Sequence, residues 1–261
     1  MSDLVTLKSS IAAFLDKSTT DFSINGVDLL LQAVNNAKRW AQSNYDFEYA
    51  RIQATLVVNT TTGGLLSATV DAGSNPVVVK KIESAYFPVG TSTVPIQFYA
   101  KKNMIAELRR RYDQPAYGLE AGSTPYVQGY SGITLSGFNT GIMVPALVQH
   151  GGTLFLYPDV SDLVSSSTVT VSLDVIKWMP DYSIDLQTPA NSVLTDFFMT
   201  YGYEFLLWKG VIEANYLFTQ FVNRAEGSLT PPDRLLDAAW KAFLAWDSGL
   251  ISANTTAFDL D

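Results

Sequence analysis

The feature that most constrains this chain is its last quarter, Thr188 to Gly249, where two aromatic-loaded helix signals follow one another with little polar relief. Thr188-Pro189 opens the first, a Thr cap followed by Pro at the first helical position, where the missing N–H is not needed. The expected helix runs from about Pro189 to Arg224. It carries Phe197, Phe198, Tyr201, Phe205, Trp208, Ile212 and Tyr216 along one stripe. Tyr203, Leu206, Leu207, Val211, Leu217, Phe218 and Phe221 cover much of the remaining circumference. A helix that is apolar nearly all round must be buried nearly all round, inside one subunit or between subunits. Gly202 and Gly210 lie within it, each costing roughly 1 kcal/mol against Ala, so a close approach by a neighbour is expected at both. Thr230-Pro-Pro-Asp233 opens the second helix with a pattern like a capping box. Leu235, Leu236, Ala239, Trp240, Phe243 and Trp246 then follow at helical spacing, and Gly249 stands where a terminating glycine belongs. Leu250–Asp261 reads as an extended tail.

The N-terminal region is helical as well. Leu4, Leu7, Ile11 and Phe14–Leu15 have helical spacing. A stronger helix is expected over 25–44, with Asn25 as its cap and Val27, Leu30, Leu31, Val34 and Trp40–Ala41 as its stripe. The texture then changes. Arg51–Asn59 and Leu65–Asp71 alternate apolar with small polar residues around Thr-Thr-Gly63-Gly64, which predicts a hairpin. Further strands are expected at Pro76–Ala85, Val94–Tyr99, Gly152–Pro158 and Thr168–Met179, the last two joined by a turn at Leu163–Ser167. A short helix is expected near 101–112. Gln114–Gly152 is rich in Gly, Ser, Tyr and Pro, the composition of long loops and short strands. The fold class is therefore α+β. N-terminal helices over 1–46 and C-terminal helices over 188–249 pack as one helical body, a β-rich sheet or sandwich over 47–187 is inserted between them, and the tail is 250–261.

Candidate chemistry is sparse. The chain of 261 residues has no cysteine and one histidine, which removes disulfides, thiolate zinc sites and cysteine nucleophiles. His150 stands in Gln149-His-Gly-Gly-Thr153. An esterase-like use of that loop would need a Gly-x-Ser-x-Gly elbow, and Gly129-Tyr-Ser131-Gly132 puts the second glycine in the wrong place. Asp159, Asp162, Asp174, Asp181 and Asp185 are scattered at positions where turn formers and caps are expected. No phosphate-cradling loop or calcium loop is present. A non-enzyme without cofactor or metal is the expectation.

Charge points the same way. Only 16% of residues are charged, against roughly 25% in ordinary soluble domains, as suits faces covered by neighbours. A net charge of −8 opposes general adhesion to nucleic-acid phosphates. Arg109-Arg110-Arg111 is the sharpest charge run, either a solvated helix end or a contact with DNA or an acidic partner. No basic leader and no apolar run of membrane-spanning length is visible, so a soluble protein made in a cytoplasm is expected.

Several of these segments together resemble the head-to-tail adaptor (connector) proteins of tailed bacteriophages. The residues are Val27–Tyr45 with Trp40–Ala41, the strand entry at Phe47–Val58, Gly152-Thr-Leu-Phe-Leu-Tyr157-Pro158, the strand ending Lys177-Trp178-Met179-Pro180, and Glu213-Ala-Asn-Tyr-Leu-Phe218. The resemblance spans most of residues 4–249. It implies a virion structural protein that forms a ring, commonly twelve-fold, in the neck below the portal. Such a ring extends the DNA channel used in genome ejection, lets DNA pass without sequence-specific binding, and docks the tail or nozzle. The implied partners are other copies of the chain, the portal protein and a tail protein, with no membrane. By position, the tail residues Phe258, Leu260 and Asp261 would contact the portal, and Gly202, Trp208, Gly210, Tyr216 and Trp240 would serve helix packing and oligomerisation. The chain would be assembled in the host cytoplasm and end in the virion. Two other readings stay open: another neck or tail component, such as a tail terminator or tube protein, and a carbohydrate-binding module of a receptor-binding protein.

Overall fold

A computed structural model describes residues 3–59, 62–89, 92–99, 146–157, 167–184, 195–222 and 233–258. The expected short helix near 101–112, with Arg109, Arg110 and Arg111, lies outside the described residues, as do Thr188, Thr230, Leu260 and Asp261. The chain is α+β, and it divides into two units. One is Met1–Tyr49 with Met179–Asp261, and the other is Ala50–Trp178.

The first unit is helical. Helix α1 (Leu4–Phe14) is capped by Asp3, whose carboxylate accepts from Thr6 N–H at 2.8 Å, and it buries Leu4, Leu7 and Ile11 as its spacing predicts. Strands β1 (Ser23–Ile24) and β2 (Val27–Asp28) form a minimal hairpin closed by Asn25-Gly26, with φ of 51° and 79°. Two successive left-handed residues are what a tight hairpin turn requires, and Asn-Gly supplies them at low cost. Asn25 is therefore a turn residue and not the cap of the next helix. Helix α2 (Leu29–Asn44) begins four residues later, capped by Asp28, which accepts from Leu31 N–H at 3.0 Å.

The aromatic C-terminal block is organised differently from its expected form. Asp196 has an extended backbone and accepts from Met199 N–H, so a helix is capped there, inside the span expected to be continuous, while Pro189 lies outside the described residues. Helix α3 (Phe197–Tyr201) stops at Gly202, and α4 (Tyr203–Val222) follows at once. The interruption matches packing, because a β-carbon on Gly202 would lie 3.0 Å from the Phe243 ring. Gly210 is pressed on its other side, where a β-carbon would lie 2.7 Å from Ile11 Cδ1. Helix α4 thus packs on α1, α2 and α5 (Asp233–Phe258). That last helix passes through Gly249 without ending. The extended tail expected from Leu250 is helical as far as Phe258, since Leu250-Ile-Ser-Ala253 contains no residue that breaks a helix.

In the second unit one eight-stranded sheet has the order β4-β9-β8-β7-β6-β10-β3-β5. Its strands are β3 (Arg51–Asn59), β4 (Gly64–Leu65), β5 (Val70–Asp71), β6 (Val79–Val89), β7 (Ser92–Tyr99), β8 (Ala146–His150), β9 (Thr153–Tyr157) and β10 (Thr168–Lys177). Its pairs are antiparallel except β7 with β8. Strands β9 and β10, expected as neighbours, are not. The former pairs with β8, and β10 lies between β3 and β6. The expected 51–59/65–71 hairpin is also divided. β5 pairs with β3, whereas β4 pairs with β9.

Inward residues alternate along the strands: Ala54, Leu56 and Val58 on β3 face Leu173, Val171 and Val169 on β10. A bulge at Glu83 lets both Ile82 and Ala85 reach the core. The sheet also curls, and Asn59 bridges Gly63 next to β4. Gly63 has φ of 70°, and a β-carbon on it would lie 2.6 Å from Leu154 O. No other residue fits that turn without displacing backbone.

One substitution tests the close approach at Gly210. Gly210→Leu gains roughly 1 kcal/mol of helix propensity, yet overpacking against Ile11 reverses the sign and the chain loses about 1–3 kcal/mol. A lowered denaturation midpoint in urea is the expected result, and a raised one would show that the helices have room to part.

Candidate functional site

Helix α2 carries an unusual ridge, in which Asn35, Lys38, Arg39 and Gln42 all face one stretch of chain, Met179–Tyr182. Gln42 accepts from Met179 N–H at 2.7 Å and donates to Met179 O at 3.5 Å. Asn35 likewise accepts from Tyr182 N–H at 2.8 Å and donates to Tyr182 O at 3.0 Å. Pro180 has no N–H to satisfy, and Lys38 takes its carbonyl. Arg39 forks onto the Asp181 carboxylate. The spacing fits: seven helical residues at 1.5 Å cover ~10.5 Å, and three extended residues at ~3.3 Å cover about the same length. The amide side chains of α2 thus act as a sheet edge would.

Lys38 is the deepest member of this ridge, with 0% of its side chain exposed. Its Nζ lies 2.5 Å from Asp196 Oδ2 and 4.2 Å from the centroid of the Tyr182 ring. The Tyr182 hydroxyl donates to the other Asp196 oxygen, which also accepts the cap bond from Met199 N–H at 3.0 Å. Burial pulls the Lys38 ammonium below its ordinary pKa, and the Asp196 carboxylate opposes that shift. Burial first, then the Asp196 charge, push the Tyr182 phenol far above its ordinary value. Lys38 and Tyr182 are buried and Asp196 is mostly so, and the cluster acts as a clasp: it ties α2, the crossing segment and the start of α3 together. A fully buried acid, Asp247 on α5, accepts from Glu48 N–H at 2.9 Å and secures the turn after α2.

Beside the clasp lies an aromatic cluster. Phe47 is at its centre, 4.9 Å from Phe198, 5.1 Å from Phe243 and 4.8 Å from Tyr45, centroid to centroid. Trp240 joins it through Phe205 at 4.8 Å. Where α3 and α4 meet at Gly202, facing α5, the cluster opens into a groove of about 720 Å³. Tyr201 and Trp246 stack there at 3.4 Å, and Thr195, Thr200, Tyr203 and Glu204 supply its polar atoms.

The residues singled out from sequence fall into separate places. Gly202, Gly210 and Trp240 pack within the subunit, and Trp208 meets Phe14 edge-on at 5.1 Å. Tyr216 instead points outward, 58% exposed. Phe258 is the last residue of α5. His150 ends β8 in an exposed position near Phe155. Among the described residues no group of three or more Asp, Glu or His side chains is placed to hold a metal, and no helix is long and apolar enough to cross a membrane. Lys38, Asp196 and Asp247 were missed from sequence, because a buried charge has no signature until its partner is known. No protein-family model matches the chain, and a comparison with curated proteins finds no match either.

Asp196→Ala removes the charge partner of a buried lysine, a helix cap and the acceptor of Tyr182 together. It is expected to destabilise the chain by about 3–5 kcal/mol, measured by chemical denaturation. The clasp also has a pH signature. The folded chain keeps the Tyr182 proton that the unfolded chain releases near pH 10. That contribution is whole below pH 10 and is lost as pH rises above it. Lys38 acts in the opposite sense, and Tyr45, raised by burial and by Asp247, acts in the same sense as Tyr182. Melting temperature should therefore fall less steeply above pH 10 in Tyr182→Phe than in the unaltered chain, and equal slopes would contradict the assignment.

Proposed function

We propose that this protein is a structural component of a bacteriophage virion: a head-to-tail adaptor that assembles into a ring between portal and tail and extends the DNA channel. The observation that carries this reading is the layout of the chain. Both ends contribute helices to one unit, and a complete sheet unit is inserted between them, as the resemblance to adaptor proteins implies.

Three further features support it. The surface is poor in charge, as faces covered by neighbours require. Helix α4 is buried along Phe205, Leu206, Val211 and Ala214 but leaves Tyr216 outward for a neighbouring subunit. Helix α5 runs to Phe258, so Phe258 would be presented to the portal at a helix end, with Leu260 and Asp261 following it outside the described residues. In this reading the ring is twelve-fold, Arg109, Arg110 and Arg111 meet DNA or a partner, and the protein resides in the neck of the virion.

Negative-stain electron microscopy and mass photometry of the purified chain, alone and with purified portal rings, test the proposal. Closed rings, or a subunit layer added to the portal, are expected. A protein that stays monomeric at high concentration and leaves the portal bare would remove the adaptor reading.

A further inference from the structure

The groove at Gly202 has a composition that neither the clasp nor the ring reading uses. Its walls are aromatic, with Tyr201, Tyr203, Phe243 and Trp246, and Glu204 is the one acid among the residues that line it. No Lys or Arg lines it. Tyr201 is 46% exposed although its ring stacks on Trp246, so part of this aromatic residue remains open to solvent.

Several acids of the helical unit are paired with a base, though not all: Asp247 binds backbone N–H groups instead. Asp28, Asp181, Asp196, Glu213 and Asp237 each have a Lys or Arg partner. Glu204 has none among the described residues. Its place in the first turn of α4 suits the helix dipole. That accounts for an acid at this position but not for the open aromatic wall next to it.

We propose that this groove receives an arginine side chain carried by a partner protein. A guanidinium is planar, stacks on an aromatic face and keeps its in-plane donors free for a carboxylate, so Tyr201 and Glu204 satisfy both of its needs at once. An ammonium has the charge without the flat face. The volume of about 720 Å³ is within the range of ligand sites and exceeds what one guanidinium occupies, leaving space for residues flanking the arginine. The net charge of −8 adds a favourable field for a basic segment. The inference is read from the subunit alone and does not depend on the ring.

Nuclear magnetic resonance of the full chain labelled at the tryptophan indoles provides the test, with Trp246 assigned from Trp246→Phe. The probe is the peptide acetyl-Gly-Ser-Arg-Ser-Gly-amide, and its counterpart carries neutral citrulline for arginine. A saturable shift of the Trp246 signal is expected with the arginine peptide. Binding should be about tenfold weaker with citrulline and in Glu204→Gln, the scale of one charge-assisted contact, and weaker again in Tyr201→Ala. Absence of a saturable shift, equal binding of citrulline, or an unchanged affinity in Glu204→Gln would each overturn the proposal. So would free argininamide binding as tightly as the peptide, because the site would then belong to a small guanidine.

Discussion

The ion pair between Lys38 and Asp196 is the interaction on which the helical unit depends. Lys38 has left water entirely and Asp196 mostly, a step that costs several kcal/mol per ion unless each finds compensation. The compensation is distributed. Lys38 also reaches the Pro180 carbonyl and the Tyr182 ring, and Asp196 also receives Tyr182 O–H and Met199 N–H. Three segments far apart in sequence therefore meet at one pair of charges. An apolar pair of similar volume would give comparable stability, but it would not set the register of Met179–Tyr182 against α2 residue by residue. In this protein the polar ridge of α2 is best understood as a device for register.

Around that clasp the aromatic residues supply bulk. Phe47, Phe198, Phe205 and Phe243 are almost fully buried; Phe47 meets Phe198 edge-on and Phe243 at a tilt, while Phe205 and Phe243 stack at a centroid distance of 6.2 Å. Two glycines make the crowding workable. Gly210 lets α4 approach Ile11, and Gly202 yields a helix turn so that Phe243 can enter. The same break at Gly202 opens the groove, so a packing compromise and a surface concavity share one cause.

The parts of this architecture that were legible in sequence are those governed by local periodicity. The spacing of Leu4, Leu7 and Ile11 marks α1, and the alternation of Ala54, Leu56 and Val58 marks β3. The close approach at Gly202 and Gly210 was legible too, because glycine inside an apolar helix has few other uses. What failed had non-local causes. Asn25 looked like a cap since Asn serves caps and turns alike, and only the pairing of Ser23 with Asp28 separates the two. The order of β9 and β10 depends on which edges close the sheet, which no window of residues records. Gly249 resembled a stop, yet the residues after it carry the helix on. The groove was invisible for the same reason as the clasp: Tyr201, Glu204 and Trp246 become neighbours only once Gly202 breaks the helix and α5 lies alongside.

The division of the chain also dictates an order of events during synthesis. Helices α1 and α2 emerge first, but the crossing segment and the helices that cover them follow the entire sheet unit. At ribosomal rates of roughly 5–20 residues per second, that delay is on the order of ten seconds. The sheet, whose strands all lie within one continuous stretch, can close meanwhile. Leu30, Val34 and Ile11 stay uncovered until α4 arrives, and Lys38 stays hydrated until Asp196 does. A nascent chain of this design exposes sticky surface early and buries it late, so its yield in the cell should be governed by chaperone access to the N-terminal helices more than by the final stability of the fold.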